Sequence, residues 1–222
     1  MLQAVIFDMD GVLIDSHPVA LAMMRECAAR NRIPLDDDDY RAWLFMSARP
    51  FWEAMQRKHT LPREIEFYLD DYNVEEEIRR YATLQPIPGV VPLIERLAAA
   101  GLRMAVATSA SQRRAAAVVA HFGLVEQLNT IVGAEDVSRH KPHGDVYFEA
   151  ARRLGVLPEN CLAIEDTATG VEAARRASMR VVGYRGCGSA GEMLGEADLV
   201  VDDFQKLSVP MLAAILQVGR DA

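Results

Sequence analysis

Two aspartates, Asp8 and Asp10, follow an apolar, β-branched run in the stretch AVIFDMDGVLIDS. This run predicts a buried strand with both carboxylates just past its carboxyl end. Neighbouring carboxylates repel each other unless a cation neutralises them, and Mg²⁺ prefers one or two carboxylates together with phosphate oxygens. The pair therefore indicates a metal-assisted phosphate site. The alternative is a solvated turn in which an aspartate caps the backbone.

Other predicted strands end in groups that phosphoryl chemistry can use. The segment MAVATSAS places Thr108 and Ser109 after one strand, which supplies hydroxyl donors. The segment LAIEDTATG places the carboxylates of Glu165 and Asp166 after another, and RHKPHGD places the cation of Lys141 ahead of a helix. Ligands collect at the carboxyl ends of parallel strands, so these groups are expected to lie together.

The elements that position these groups alternate between short β-rich runs and helical patterns. Predicted strands are Val5–Phe7, Arg103–Ala107, Thr130–Val132, Cys161–Ile164, Arg180–Gly183 and Leu199–Val201. Predicted helices are Val90–Ala100, Ser111–Phe122, Gly144–Leu154, Gly170–Ala177 and Pro210–Val218. This alternation predicts an α/β fold with a doubly wound parallel sheet.

The segment 16–84 interrupts the alternation. It shows helical periodicity with several aromatic residues and no convincing strand, and the turn segment QPIPG follows it. We therefore predict a small all-helical domain over 16–84, inserted after the first strand. The α/β core domain then comprises 1–15 and 85–222.

Composition limits the function classes. The chain of 222 residues carries a formal net charge of −8, which argues against a nucleic-acid or anionic-membrane surface. The sequence has no long apolar stretch and no secretory signal pattern, so we expect a cytoplasmic protein, monomeric or weakly dimeric. Three cysteines, Cys27, Cys161 and Cys187, lack the spacing of a disulfide framework or a zinc site.

Taken in order, four segments resemble motifs of the haloacid dehalogenase superfamily, in the branch with a helical cap inserted after the first strand. These segments are DMDGVLIDS, ATSAS, KPHGDVY and IEDTATGVEAARRA. The resemblance covers nearly the whole chain and implies a Rossmann-like core with a cap. It also implies phosphoryl transfer rather than dehalogenation, because the dehalogenating members lack the second aspartate.

The resemblance assigns catalytic roles to four residues. Asp8 is expected to be the nucleophile that forms an aspartyl-phosphate, and Asp10 the general acid and then base. A carboxylate attacks phosphorus without first losing a proton, while a second acid can protonate the leaving alkoxide and later activate water. Thr108 would hydrogen-bond the transferring phosphoryl group, and Lys141 would neutralise its oxygens.

The resemblance also implies a Mg²⁺ cofactor. Asp8, Asp166 and the backbone carbonyl of Asp10 would bind the ion, with Glu165 assisting directly or through water. For the substrate, a small-molecule phosphate ester, Ser109 would offer a backbone N–H. Arg49, in the cap segment LFMSARPFWEAM, would hold the distal end of the substrate; the alternative is an arginine that faces solvent.

Two positions depart from the family pattern without touching a catalytic group. Gly144 replaces the second proline of the KPxPD motif, and Ser178 lies where glycine is usual. Both belong to the framework.

We expect a Mg²⁺-dependent phosphatase acting on a small phosphorylated metabolite, a sugar or polyol phosphate. The alternative is a phosphomutase of the β-phosphoglucomutase type, but such mutases carry a histidine ten residues after the second catalytic aspartate, and here that position is Ala20. His17, three residues earlier, could substitute from the same helix face. A non-catalytic binding protein on the same fold is a further alternative, although no catalytic group is missing.

Overall fold

The structure is a computed structural model that describes residues 1–46, 48–186 and 194–217. The chain divides into two compact units. The sheet unit comprises Met1–Asp15 and Leu84–Ala222, and the helical unit comprises Ser16–Thr83. Within the described residues, no helix is both long and apolar enough to cross a membrane.

The sheet unit is built on six parallel strands in the order β3-β2-β1-β4-β5-β6. The strands are β1 (Ala4–Phe7), β2 (Arg103–Ala107), β3 (Thr130–Val132), β4 (Cys161–Glu165), β5 (Arg180–Tyr184) and β6 (Leu199–Val201). Strand β1 lies in the middle of this order and is buried along its whole length, as expected for the apolar run AVIF. The predicted fold class, α/β with a doubly wound parallel sheet, is confirmed.

Ten α-helices form within the described residues. They are α1 (His17–Asn31), α2 (Asp37–Phe45), α3 (Ala48–Lys58), α4 (Ile65–Asp70), α5 (Val74–Tyr81), α6 (Val90–Ala99), α7 (Gln112–His121), α8 (Asp145–Leu154), α9 (Ala168–Arg176) and α10 (Val209–Ile215). One face of the sheet, which includes Ile6 and Ala163, packs against the buried sides of α8 and α9 in a continuous apolar core.

The helical unit has a hydrophobic core of its own, built around Phe51, Trp52, Met55 and Tyr68. The rings of Trp52 and Tyr68 stack with their centroids 4.4 Å apart. Such aromatic pairs contribute roughly 0.5–1.5 kcal/mol beyond the area that they bury. The helical unit therefore buries apolar side chains against one another, within the unit itself.

Two segments of the sheet unit, one just before and one just after the helical unit in sequence, pair with each other in a short stem, formed by Leu13 and Ile14 with Pro86 and Ile87. The backbone N–H of Ile87 donates to the carbonyl of Leu13 at 3.0 Å, and Ile14 forms an antiparallel bridge with Pro86. Ile14 and Ile87 are buried. The chain therefore leaves and re-enters the sheet unit at neighbouring points.

The observed elements differ from the predicted ones mainly at their ends. Strands β2, β3 and β6 have the predicted bounds, whereas β4 continues to Glu165. Helix α9 begins two residues before the predicted start at Gly170, because the Thr167 hydroxyl caps it by accepting from the N–H of Gly170. The predicted helix end at Val218 and Cys187 both lie outside the described residues.

Ser178 occupies the left-handed region of backbone conformation, with φ of 62°. A residue with a Cβ is strained there, at a cost of roughly 1–2 kcal/mol, whereas glycine is not. We therefore expect Ser178→Gly to increase the free energy of unfolding by about 1 kcal/mol, measured by urea denaturation. The matched control is Ser138→Gly, at a serine outside the left-handed region. An equal gain in both variants would show that backbone strain at position 178 is not the cause.

Candidate active site

The carboxyl ends of the central strands hold the predicted chemical groups in fixed positions. Asp8 follows β1 directly, and its N–H donates to the Ile164 carbonyl at 3.0 Å. Thr108 follows β2, and its N–H donates to the Val132 carbonyl at 3.0 Å. Because the sheet hydrogen bonds continue through both residues, the backbone at the site is as rigid as the strands.

The Lys141 ammonium lies among three oxygen acceptors. Its Nζ is 2.6 Å from Asp8 Oδ1, 2.5 Å from Glu165 Oε1 and 3.1 Å from the Ala107 carbonyl. An ammonium has three N–H donors, so this arrangement can use each of them once. The Lys141 side chain is only 8% exposed, which strengthens these charged interactions.

Burial and charge shift the pKa values of these groups in a way that favours a bound cation. Burial raises the pKa of Asp8 to about 7; Lys141 opposes this shift, while Glu165 and Asp10 add to it. Burial alone would lower the pKa of Lys141, but the Asp8 and Glu165 carboxylates outweigh it and raise that pKa. The site therefore holds a permanent cation beside carboxylates that are costly to ionise without further positive charge.

A tight turn after Asp8 brings Asp166 against the backbone. Three successive N–H groups, those of residues 12–14, donate to the Met9 carbonyl, and Gly11 has φ of 82°. A Cβ at Gly11 would lie 1.9 Å from Asp166 Oδ2. Glycine is therefore required at this position both for its φ and for the approach of the carboxylate.

The residues present fit a hard divalent cation. Asp8, Glu165 and Asp166 are all buried, and each offers an oxygen within 4.8 Å of the others. Within the described part of the chain, neither buried carboxylate oxygen of Asp166 has a hydrogen-bond partner. A buried carboxylate without donors is unfavourable unless it binds a cation, and Mg²⁺ takes oxygen ligands of this kind.

Asp10 lies at the same turn with its side chain 30% exposed. The guanidinium Nη2 of Arg114, in the first turn of α7, is 3.9 Å from Asp10 Oδ1. Asp10 is thus more accessible than Asp8, which is compatible with its predicted role as general acid and base.

The other predicted residues lie in two different settings. Thr108 is buried, and its Oγ1 accepts from the N–H of Ala110 at 3.0 Å, whereas Ser109 is exposed. Arg49 belongs to α3 of the helical unit, where its Nη1 donates to Glu66 at 3.0 Å. Ala20 lies in α1. The contacts of Ser109 and Arg49 with a substrate stay predictions.

The sequence did not single out Tyr147, Gly170 and Arg114 as part of this site. Tyr147 lies on the buried side of α8, and its hydroxyl donates to Glu165 Oε1 at 2.5 Å. Burial, followed by the Glu165 charge, raises the pKa of Tyr147, so the hydroxyl keeps its proton. A tyrosine in an otherwise apolar helix face is the one signal that could have indicated it.

The fold is an α/β core with a parallel sheet and a helical insertion after the first strand, and its strand ends bring buried carboxylates together with a lysine. A family model described as haloacid dehalogenase-like hydrolase matches residues 2–178. The chain belongs to this family.

Named relatives include phosphatases and mutases. The chain is 30% identical over 202 residues to phosphorylated carbohydrates phosphatase of Thermotoga maritima, covering 90% of this chain and 93% of the relative. It is 28% identical to β-phosphoglucomutase of Bacillus subtilis, covering 95% and 94%. Among solved structures, a variant of CbbY from Rhodobacter sphaeroides in complex with xylulose-(1,5)bisphosphate matches with a TM-score of 0.85 and 27% identity, covering 96% of this chain and 99% of that one. The predicted enzyme class, a phosphatase of the haloacid dehalogenase-like family, is confirmed.

Proposed function

We propose that this protein is a Mg²⁺-dependent phosphatase that cleaves a small phosphorylated sugar or polyol through an aspartyl-phosphate at Asp8. The observation that carries the proposal is the convergence of Asp8, Lys141 and Asp166 at the carboxyl ends of β1 and β4, with the Asp166 carboxylate oxygens unpartnered in the described structure. The relatives that act on phosphorylated carbohydrates support the substrate class.

In the first half of the reaction, Lys141 holds Asp8 through Oδ1, which leaves Oδ2 for the attack on phosphorus. A bond forms between Asp8 and phosphorus while the ester P–O bond breaks. Asp10 donates its proton to the departing alkoxide, so the leaving group departs as a neutral alcohol. Thr108 and Lys141 stabilise the negative charge of the phosphoryl oxygens.

In the second half, Asp10 accepts a proton from a water molecule that attacks phosphorus. The bond between phosphorus and Asp8 breaks, which returns the Asp8 carboxylate and releases inorganic phosphate. Bound Mg²⁺, held by Asp8, Asp166 and the carbonyl of Asp10 with Glu165 assisting, would offset the negative charge of the carboxylates and the phosphoryl group.

A phosphomutase is the second candidate, because a β-phosphoglucomutase is among the relatives. A mutase must keep its aspartyl-phosphate from hydrolysis, whereas a phosphatase lets water react. In mutases that resemble this chain, the histidine at this position helps hold the second aspartate away from water until the sugar has bound. The methyl group of Ala20 can neither donate nor accept a hydrogen bond, so it cannot restrain Asp10 in this way. This difference favours the phosphatase.

The test that separates the two supplies β-glucose 1-phosphate with a trace of the 1,6-bisphosphate. We expect release of inorganic phosphate, or no reaction if glucose is the wrong sugar. A panel of sugar and polyol phosphates, assayed for phosphate release, then identifies the substrate. Formation of glucose 6-phosphate faster than free phosphate would instead establish the mutase.

A further inference from the structure

Tyr147 and Lys141 share one acceptor atom. The Tyr147 hydroxyl and the Lys141 ammonium both donate to Glu165 Oε1, each at 2.5 Å. Tyr147 is fully buried in α8, in the core beneath the sheet, and does not reach solvent. Any effect of its hydroxyl on catalysis therefore passes through Glu165 rather than through the substrate.

The ring of Tyr147 makes a second contact with the same lysine. Lys141 Nζ lies 5.2 Å from the ring centroid, within the range of a cation–π interaction. Tyr147 thus faces the ammonium with its ring and holds the ammonium's acceptor with its hydroxyl.

Glu165 itself has little freedom to move. Its Oε2 accepts from the N–H of Asp166 at 3.2 Å and from the hydroxyl of Thr167 at 3.4 Å. Gly170 makes room for the carboxylate, because a Cβ there would lie 2.0 Å from Glu165 Cδ. The carboxylate is therefore enclosed on all of these sides and can serve as a fixed anchor for Lys141.

We propose that Tyr147 is a positioning residue that sets the place of the Lys141 ammonium by holding Glu165 Oε1. The role rests on the proposed function, in which Lys141 orients Asp8 and neutralises the phosphoryl group. Without the hydroxyl, Glu165 Oε1 has Lys141 as its sole remaining donor in the described structure and draws the ammonium away from Asp8. A small displacement of a charged group at the reacting centre lowers the rate without weakening substrate binding.

The kinetic test compares Tyr147→Phe, Glu165→Ala and the double variant. We expect Tyr147→Phe to lower kcat by about 10-fold, the usual size for a residue that orients a catalytic group, with KM within about 2-fold. In the Glu165→Ala background the same change should lower kcat by less than about 2-fold, because the acceptor is already gone. An unchanged kcat in Tyr147→Phe, or a full 10-fold loss in both backgrounds, would overturn the role.

A matched control is Tyr184→Phe. Tyr184 is also buried in the sheet unit, stacked on Phe204 with ring centroids 4.1 Å apart, and it is not among the residues assigned to the site. The kcat of the Tyr184→Phe variant should stay within about 2-fold of the wild-type value. Circular dichroism and thermal unfolding establish that each variant is folded.

A spectroscopic readout does not require turnover. A buried ammonium with three acceptors exchanges its protons slowly, so Lys141 should give a resolved side-chain ¹H–¹⁵N signal that disappears in Lys141→Arg. Tyr147→Phe should shift or broaden that signal, and Tyr184→Phe should leave it in place. If the wild type cleaves no phosphate ester, the proposed function fails while this signal still decides the role of Tyr147. A signal that Tyr147→Phe leaves unchanged would refute the positioning role.

Discussion

Replacing Asp8 with asparagine is expected to abolish phosphate release, with kcat lower by about 10⁵-fold or more, as for the loss of other covalent nucleophiles. The amide keeps the size of the side chain and an oxygen that Lys141 can bind, but it is a far weaker nucleophile than a carboxylate. The chain should remain folded, because Asp8 lies at a strand end whose backbone hydrogen bond to Ile164 does not involve the side chain. Phosphate release and thermal unfolding measure the two effects.

The control for this change is Asp202→Asn. The Asp202 side chain is 64% exposed and pairs with Lys206 on the surface. The kcat of the Asp202→Asn variant should therefore match that of the wild type. Activity of Asp8→Asn above about a thousandth of the wild-type value would rule out Asp8 as the nucleophile.

Removal of the cation is expected to have the next largest effect. A chelator, or the change Asp166→Ala, should lower kcat by at least about 10³-fold, because a bound metal supplies several kcal/mol of charge stabilisation. Asp166→Ala should also lose Mg²⁺ binding in isothermal titration calorimetry. Added Mg²⁺ should restore the chelated wild type, whereas Ca²⁺ should restore it poorly, since its looser shell misaligns the attack.

The Asp166→Ala change should lower kcat without lowering the stability of the folded protein. Burial, and then the charges of Asp8 and Glu165, raise the pKa of Asp166 well above its ordinary value. A carboxyl group whose pKa is raised on folding destabilises the folded state once the pH exceeds its unfolded pKa. In metal-free buffer at neutral pH, Asp166→Ala should therefore unfold at a temperature equal to or above that of the wild type. Full activity in the chelated protein, or a markedly lower unfolding temperature in Asp166→Ala, would contradict a metal role for this carboxylate.

The strands and the polar groups at their ends could be predicted from sequence for a simple physical reason. Central parallel strands are buried on both faces, so runs such as AVIF and MAVA are apolar throughout and stand out from their surroundings. The topological rule for parallel sheets then places Asp8, Thr108 and Asp166 at one edge without any knowledge of distances. The boundaries of the strands were harder to predict. Glu165 belongs to β4, although its charge suggested that the strand ends at Ile164.

The supporting residues could not be predicted in the same way. Tyr147 looks like an ordinary core aromatic in the segment DVYFEA, and its link to Glu165 depends on how α8 packs under the sheet. Gly170 looks like a poor helix residue until the position of the Glu165 carboxylate is known. Both roles arise from tertiary contacts between distant segments. For Tyr147 the sequence offers only a hydroxyl on an otherwise apolar helix face, which does not identify its partner.

The stem at Leu13 and Ile87 has a consequence for how this chain tolerates change. The sheet unit itself holds the two ends of the insertion together. The entropy cost of closing a loop depends only weakly on the number of residues in it, about 0.6 kcal/mol for each doubling. Gains, losses and exchanges of residues between Ser16 and Thr83 are therefore expected to have little effect on the folding equilibrium of the sheet unit. Selection can thus rework the inserted segment while the strand ends that carry Asp8 and Asp166 keep their geometry.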